Sequence, residues 1–230
     1  MRVIRAKAEI KFLDSQQAID EIYARIETAG RTCYKSEEQI TPESSRKFAA
    51  LMVKNHHEAM LEHAHVMVRF TVDRGVSHEI VRHRVASFAQ ESTRYCDYSK
   101  GKFGSELTFI DPLFWDDEEH YPERKAWEEL CQETENVYLA FRKYDIQPQQ
   151  ARDILPTSIK TEVVMTANIR EWRHFFRLRA ACETGMPHPQ MLEVAVPLFQ
   201  EMSAKLPELF SDIVIPADVL KKYGKVGDGR

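Results

Sequence analysis

The sequence predicts an α+β domain in which helices flank a small, mainly antiparallel sheet. Two segments alternate apolar and polar residues as strands do, "HVMVRFTVD" at residues 65–73 and "KTEVVMTAN" at residues 160–168. Most of the remaining chain has helical periodicity, and no regular strand–helix–strand alternation joins the two strand candidates. This order disfavours a parallel, doubly wound sheet and favours the α+β class.

Length and composition limit the number of domains and the classes of binding partner. The 230 residues suffice for one large domain, expected over residues 1–223 with a loose tail at 224–230. The net charge of -4 and the pI near 6.2 argue against a nucleic-acid partner. No apolar run is long enough to span a membrane, and the N-terminus is too charged for a signal peptide. Four separate cysteines without a CxxC pair suit a reducing cytoplasm, the expected location.

The predicted helices in the first third of the chain begin at polar start signals. Asp14 is expected to cap a first helix that ends near Gly30. Thr41 is expected to cap a second helix. A third helix is predicted from Val76 to about Arg84, followed by a loop or turn.

Two later helices have clear start signals as well. Pro122 opens the longest helix of the chain. Its predicted buried side contains Trp127, Leu130, Cys131, Val137, Tyr138 and Phe141. Asn168 is expected to cap the helix that begins with "IREWRHFFRLRAAC".

The helix after Asn168 has an arginine at an apolar position. At about 100° per residue, one face is apolar and the opposite face is basic. The apolar face contains Trp172, Phe175, Phe176, Leu178 and Cys182, and the basic face contains Arg170, Arg173, His174 and Arg177. Arg179 falls in the middle of the apolar face, where an unpaired guanidinium would cost about 3–5 kcal/mol or more. It therefore needs an acceptor, which the helix geometry leaves open as a structural carboxylate or a ligand.

The stretch "IVRHRVASFAQESTRYC" concentrates cations and hydroxyls in an acidic protein. Arg82, Arg84 and Arg94 are suited to bidentate binding of phosphate, and Ser92 and Thr93 add hydroxyl donors. A solvated helix end is the alternative explanation. The density of arginines with almost no acids favours a phosphate site.

Several motifs that are specific for other catalytic or nucleotide-binding sites are absent. "HEAMLEH" and "HEIVRH" resemble the zinc-protease motif, but their histidines have the wrong spacing for it. Ser92 lacks the surroundings of a covalent nucleophile. No glycine-rich nucleotide loop occurs, so a nucleotide would be bound by side chains and helix ends. No metal site is predicted.

The triplet Arg82-His83-Arg84, followed after seven residues by Ser92, resembles the signature of the flavin-dependent thymidylate synthases. Three further segments resemble later or earlier motifs of that family, in the family's order. They are "HHEAMLEH", "QQARDILP" and "TANIREWRHFFRLRA". The resemblance covers most of the chain between about residues 30 and 180.

The resemblance implies an enzyme that methylates dUMP to dTMP. Methylenetetrahydrofolate would supply the carbon, and NADPH would supply reducing equivalents through FAD. It also implies a homotetramer whose active sites are shared among subunits. Because the flavin carries the hydride, such a site needs many binding groups and few catalytic acids and bases.

The resemblance also implies the residues of the site. FAD would be bound by His57, Ala59, Glu62, Arg82, His83, Arg84, Gln90, Asn168, Arg170 and His174. The substrate dUMP would be contacted by Glu79, Arg82, Gln90, Glu91, Ser92, Thr93, Arg94, Arg152 and Arg179. Arg179 would be catalytic, because the family's matching arginine contacts the pyrimidine and favours ionisation of its ring imide.

Three positions depart from the family's pattern. Many members have glutamine in place of Glu79 and glutamate in place of Gln90. A carboxylate at position 79 would repel a nucleotide anion, which leaves the backbone as its contact. Ala59 replaces a residue that is often Ser or Thr, so only its backbone could contact FAD.

A second class of function uses the same residues. A non-catalytic nucleotide- or phosphate-binding module would need the arginines as much as an enzyme does. It would show no flavin spectrum and no dependence on folate.

Overall fold

Within residues 1–224, which the computed structural model describes, the chain forms six strands and nine helices. The strands are β1 (Arg2–Ile4), β2 (Lys7–Lys11), β3 (His65–Asp73), β4 (Ala86–Gln90), β5 (Thr108–Ile110) and β6 (Lys160–Asn168). The helices are α1 (Gln16–Tyr34), α2 (Ser44–Lys54), α3 (Arg74–Ile80), α4 (Tyr121–Lys143), α5 (Pro148–Ala151), α6 (Ile169–Arg179), α7 (Pro189–Lys205), α8 (Pro207–Phe210) and α9 (Ala217–Tyr223). A 3-10 segment at Glu58–His63 precedes β3.

The strands form two sheets. The larger is a mainly antiparallel sheet of four strands in the order β2-β3-β6-β4, flanked by helices, and it confirms the α+β prediction. The smaller is a parallel pair of β1 and β5, in which Val3 lies opposite Phe109. The two predicted strands are β3 and β6, with the predicted bounds. Strands β1, β2 and β4 were not predicted.

The chain divides into two compact units, and it passes between them several times. Unit 1 contains Met1–Lys7, Phe70–Arg82 and Ala89–Val163. Unit 2 contains Ala8–Arg69, His83–Phe88 and Val164–Arg230, of which residues up to 224 are described. The domain boundary at residue 223 stays a prediction, and residues 225–230 of the predicted tail lie outside the described residues.

The core of unit 1 forms around α4. Its buried residues are Tyr98, Leu107, Phe109, Trp127, Cys131, Tyr138, Ala151 and Ile159. Three of the six residues predicted for the buried side of α4 are in this cluster. Leu130 is 58% exposed, and that part of the prediction is wrong. It lies one residue before Cys131, about 100° around the helix, and so points away from the cluster.

The core of unit 2 is an aromatic cluster on α6, α7 and α8. The ring of Phe176 lies 5.3 Å from that of Phe199 and 5.6 Å from that of Phe210, centroid to centroid. Trp172 is fully buried, and its indole N–H donates to the carbonyl oxygen of Val66 at 3.0 Å. Edge-to-face packing of this kind adds to the apolar burial of each ring.

Helices α1 and α2 depart from their predicted ends. Ser15 caps α1 instead of Asp14, because its backbone is extended and its Oγ accepts from the amide of Ala18. The helix continues past Gly30, where a Cβ would lie 2.3 Å from the ring of Phe48. This glycine permits close packing of α1 and α2 and does not stop the helix. Thr41 caps no helix, since α2 begins at Ser44.

Helix α3 ends earlier than predicted, at Ile80. Asp73 caps it, with its Oδ1 accepting from the amide of Val76 at 2.6 Å. The residues expected to form a loop after it include strand β4. The side chains of β4 alternate between half-buried and exposed, which is the pattern of a strand at a sheet edge.

Candidate active site

Asn168 fixes the start of α6, as predicted. Its Oδ1 accepts from the amide of Glu171 at 2.8 Å, which satisfies one of the free N–H groups at the helix start. The amide of Ile169 donates to the carbonyl of Ala64, just after the 3-10 segment. Helix α6 therefore packs beside the segment that holds several predicted flavin residues.

Arg173 belongs to the predicted basic face of α6, and it is fully buried. Asp212 accepts from its Nη1 and Nη2 at 2.7 Å each, and Glu58 accepts from its Nε at 3.1 Å. Arg177 also donates to Asp212, at 3.0 Å. We call these four residues the arginine clamp. Arg173 is buried because the 3-10 segment, α8 and the chain directly after α8 cover this second face of α6.

His83 is buried between two charged residues of α6. Its Nδ1 lies 3.0 Å from Glu171 Oε1, and Arg179 Nε lies 3.3 Å from its Nε2. A guanidinium can only donate, so Nε2 is the acceptor, and Nδ1 is the nitrogen that donates its proton to Glu171. Burial, followed by the charges of Arg179 and His174, lowers the pKa of His83 to about 4. Burial raises the pKa of the Glu171 carboxyl.

Arg179 is half-buried, and His83 provides an acceptor of the kind that the helix geometry required. The acceptor of its Nε is a neutral imidazole. A neutral acceptor leaves the positive charge of the guanidinium in place. The contact between Arg179 and a pyrimidine stays a prediction.

Five further predicted flavin-binding residues of unit 2 lie on or beside the 3-10 segment and on α6, and all five are exposed. His57, Ala59 and Glu62 lie on or beside the 3-10 segment, and all three are exposed. Arg170 forms an ion pair with Glu62 at 2.5 Å. The exposed ring of His174 lies 5.7 Å from the ring of His83, centroid to centroid. These residues belong to one neighbourhood of unit 2.

The predicted substrate residues of unit 1 begin at the end of β4. The side-chain amide of Gln90 donates to Ser77 Oγ at 2.9 Å and to Thr161 Oγ1 at 3.3 Å. These bonds hold Gln90 between α3 and β6, and they occupy the N–H donors of its side-chain amide. On α3, the half-buried Glu79 has a backbone carbonyl that accepts from the amide of Arg82.

Glu91 has internal partners for its carboxylate. Lys160 Nζ lies 2.8 Å from one of its oxygens, and the hydroxyl of Tyr98 donates to the other at 2.9 Å. Burial and the neighbouring Glu91 carboxylate raise the pKa of Tyr98, which stays a donor. Glu91 thus anchors the segment, and its charge is already balanced.

Ser92 begins a turn that projects the next residues. Its carbonyl accepts from the amides of Tyr95 and Cys96, and its Oγ accepts from the amide of Arg94 at 3.3 Å. Thr93 is buried inside the turn. Arg94 is exposed, donates from Nε to Gln149 of α5 at 3.2 Å, and lies over the ring of Tyr95.

Four exposed arginines of the predicted site keep an unbalanced charge. None of them has a carboxylate oxygen within 4.0 Å among residues 1–224. These open arginines are Arg82, Arg84, Arg94 and Arg152. Arg152 directly follows α5, the helix that Arg94 contacts through Gln149. An arginine without an internal counter-charge is available to an anionic ligand.

Two residues with roles near these sites were not predicted. Glu171 was an ordinary residue of the α6 sequence, and only the fold brings it to His83, 88 positions away. Arg74 is half-buried, and its Nη1 has no hydrogen-bond partner among the described residues. A polar residue within an apolar helix pattern was the available signal for Glu171. No signal in the sequence indicated Arg74.

His83, Glu171 and His174 also form a group that could be considered for a metal ion. Their ligand atoms lie within 4.8 Å of one another. Both nitrogens of His83 already have partners, and the Arg179 guanidinium beside it would repel a cation. The prediction of no metal ligand stays a prediction.

Comparison with known proteins identifies the family. The family described as "Thymidylate synthase complementing protein" matches residues 17–208, which is most of the chain. The chain belongs to this family. A flavin-dependent thymidylate synthase of Pyrococcus furiosus is 32% identical over 180 residues, covering 76% of this chain and 70% of the relative. The enzyme of that name from Corynebacterium aurimucosum is 31% identical over 209 residues, covering 86% and 83%.

A solved structure has the same fold. It is a UMP/dUMP methylase from Streptomyces cacaoi, bound with 5-Br dUMP. The TM-score is 0.69, and the match covers 98% of this chain and 99% of that chain at 18% identity. At this identity the likeness concerns the fold. Among the described helices, none is both long and apolar enough to cross a membrane.

Proposed function

We propose that the protein is a flavin-dependent thymidylate synthase that converts dUMP to dTMP. The methylene group of methylenetetrahydrofolate becomes the new methyl group, NADPH supplies the two electrons that reduce it, and the hydrogen on carbon five leaves as a proton. The observation that carries the proposal is the Arg82–Arg94 segment, which matches the family signature and contains three of the open arginines.

The donors of unit 2 suit FAD. Its pyrophosphate needs cationic and N–H donors, and Arg84 is exposed without a carboxylate partner in residues 1–224. His57 and His174 are exposed imidazoles, and Arg170 lies on the same helix as His174. When bound, FAD supplies the hydride-transfer chemistry that no side chain can provide. These residues would bind and orient it, together with Ala59, Glu62, Arg82, His83, Gln90 and Asn168.

The open arginines of unit 1 suit the phosphate of dUMP. Arg94 and Arg152 both adjoin α5, and the Ser92 turn presents a hydroxyl near Arg94. Charge-assisted hydrogen bonds from arginine are worth roughly 1.5–3 kcal/mol each, and neutral hydroxyl bonds are worth less. Arg82, Glu79, Gln90, Glu91 and Thr93 would complete the nucleotide contacts, with Glu79 acting through its backbone.

Arg179 would activate the pyrimidine. Its guanidinium keeps its charge beside a neutral His83, so it can stabilise the negative charge of an ionised ring imide. Ionisation makes carbon five more nucleophilic or carbon six more open to hydride. The arginine itself neither gains nor loses a proton.

NADPH and the folate as co-substrates, the homotetramer with shared active sites, the cytoplasmic location and the absence of a nucleic-acid or membrane partner belong to the same proposal. They are implied by the family resemblance and by the composition. The non-catalytic nucleotide-binding module is the competing function, since it would use the same open arginines.

Tritium release separates the two functions. The substrate is dUMP with tritium at carbon five, incubated with FAD, NADPH and methylenetetrahydrofolate, each omitted in turn. We expect release that needs the flavin and NADPH, with dTMP formed only when the folate is present. Folded protein that binds dUMP and releases no tritium with all three compounds present would be a binding module, and the proposed enzyme activity would be wrong.

A further inference from the structure

Glu171, His83 and Arg179 form a chain of hydrogen bonds in unit 2. Glu171 and Arg179 belong to α6 and are eight residues apart, so both lie on one side of the helix. His83 comes from the signature segment and lies between them, at 3.0 Å from Glu171 Oε1 and 3.3 Å from Arg179 Nε. The chain therefore joins a buried carboxylate to the proposed catalytic arginine.

The chemistry of the three groups fixes the proton on His83. Arg179 donates to Nε2, which must keep its lone pair, and Glu171 accepts the proton of Nδ1. Among the described residues, the charged or titratable groups with a contact to the ring are Glu171, His174 and Arg179, and the ring of Phe175 lies 4.9 Å away. Burial among these groups keeps the imidazole neutral, in agreement with its lowered pKa.

We propose that His83 and Glu171 are positioning residues that hold the Arg179 guanidinium in the orientation it needs for the pyrimidine. The inference rests on the proposed function. Glu171 selects the tautomer of His83, and His83 then uses its Nε2 lone pair to fix Nε of the guanidinium. Arginine side chains have many rotamers, and a fixed Nε removes much of that freedom before substrate binds.

The competing explanation is that His83 only fills space in the core. Its ring packs against Phe175, and a phenylalanine would fill that space with apolar surface. The two explanations differ in their consequences. A packing role would be retained by His83→Phe, whereas a positioning role would be lost with the Nε2 acceptor.

Three variants and one control test the inference. His83→Phe keeps the ring and removes both hydrogen bonds. His83→Gln restores an acceptor oxygen near the position of Nε2. Glu171→Gln keeps the shape of the side chain and allows the other tautomer of His83. Tyr23→Phe is the control, because it removes a different hydrogen bond of unit 2, from the buried Tyr23 to Glu208, and neither residue is assigned to the proposed site.

The readouts are kcat and the KM for dUMP, with flavin content measured from the absorbance spectrum. We expect His83→Phe to lower kcat by about 100-fold, the scale of a small misplacement of a catalytic group. KM should change by less than about threefold, since His83 is not among the proposed contacts of dUMP. His83→Gln should recover about 10-fold of the loss, and Glu171→Gln should show an intermediate kcat. Tyr23→Phe should match the wild type.

Three results would overturn the inference. One is a kcat of folded His83→Phe within twofold of the wild-type value. A second is a loss of activity in His83→Phe that its flavin content explains fully, so that kcat per bound flavin stays within twofold of the wild-type value. A third is no difference in kcat between His83→Gln and His83→Phe.

The outcome for the wild type separates this inference from the proposed function. If the wild type forms dTMP and the variants match it, the positioning role is wrong and the function stands. If the wild type binds dUMP without forming dTMP, the enzyme activity is wrong, and dUMP affinities measured by calorimetry then test whether His83→Phe weakens an Arg179 contact. A wild type that neither binds dUMP nor forms dTMP overturns both.

Discussion

The arginine clamp and the open arginines use the same residue type in opposite ways. In the clamp, Arg173 is fully buried and Asp212 and Glu58 balance its charge. The open arginines are exposed, and no described carboxylate balances them. The difference teaches that the counter-charge, more than the arginine itself, separates a structural site from a ligand site. Arg179 lies between the two cases, because it is half-buried and its Nε donates to the neutral imidazole of His83.

We expect the largest effect on activity from the substitution of Arg179. Arg179→Ala is expected to lower kcat by about 1000-fold, since a single preorganised donor to developing charge is worth 10²–10³ or somewhat more. Flavin content should not change. Steady-state dTMP formation, with the flavin spectrum as the control for folding, measures it. Near-normal turnover would remove Arg179 from catalysis and leave it as an ordinary half-buried arginine.

The clamp should be costly to break. Arg173→Met leaves Glu58 and Asp212 without their main partner, and we expect a loss of about 3–5 kcal/mol in the free energy of unfolding. Arg84→Met is the matched control among the open arginines and should change stability by less than about 0.5 kcal/mol. Urea denaturation of both variants measures the contrast. Equal losses would mean that the counter-charge does not separate the two groups.

The buried imidazole predicts how stability depends on pH. The pKa of His83 is lowered from 6.5 to about 4 in the folded protein, so the unfolded chain binds its proton more readily. Stability from this group is complete above the unfolded pKa of 6.5 and is lost as pH falls towards 4. The loss amounts to about 3 kcal/mol. Urea denaturation of wild type and His83→Phe across this range should show a shallower pH dependence in the variant, and parallel curves would contradict the assignment.

The open arginines should affect affinity and not stability. Arg94→Ala and Arg152→Ala are each expected to weaken dUMP binding by about 10- to 100-fold, the value of one charge-assisted hydrogen bond. Their free energies of unfolding should stay near the wild-type value. Calorimetry at low and high salt measures both the loss and its ionic character. Unchanged affinity in both variants would move the phosphate site elsewhere.

The smallest effect should come from the hydroxyl beside them. Ser92→Ala is expected to weaken dUMP binding by less than about 10-fold, because a neutral hydroxyl bond is worth roughly 1 kcal/mol. Turnover at saturating dUMP should survive. Its complete loss would instead assign covalent chemistry to Ser92, which the surroundings of this serine do not otherwise suggest.

Local signals predicted the parts of the fold that local physics decides. Strands β3 and β6 have strong alternation, and Asn168 and Pro122 are helix starts with a direct mechanism. Strands β1, β2 and β4 were missed because they are short and contain charged or polar residues. Such strands form through pairing with distant segments, and their own sequence carries little β signal.

The helical wheel failed on α6 for a physical reason. It assumes one buried face, but the 3-10 segment and the chain after α8 bury a second one around Arg173. The family signature indicated the candidate site residues. The sequence could not predict the hydrogen bond between Glu171 and His83, since no feature of either segment indicates a contact with the other.

Strand β6 and helix α6 share a boundary without any intervening loop. Asn168 is the last strand residue and the helix cap at once, and β3 passes directly into α3 at Asp73 in the same way. One inserted residue after Asn168 would turn every later α6 side chain by about 100° and advance it by about 1.5 Å. Insertions and deletions are therefore expected to be intolerable at these two junctions, whereas the turn at 101–104 should accept them. A scan of single-residue deletions along the gene would locate these two junctions as positions that tolerate no change in length.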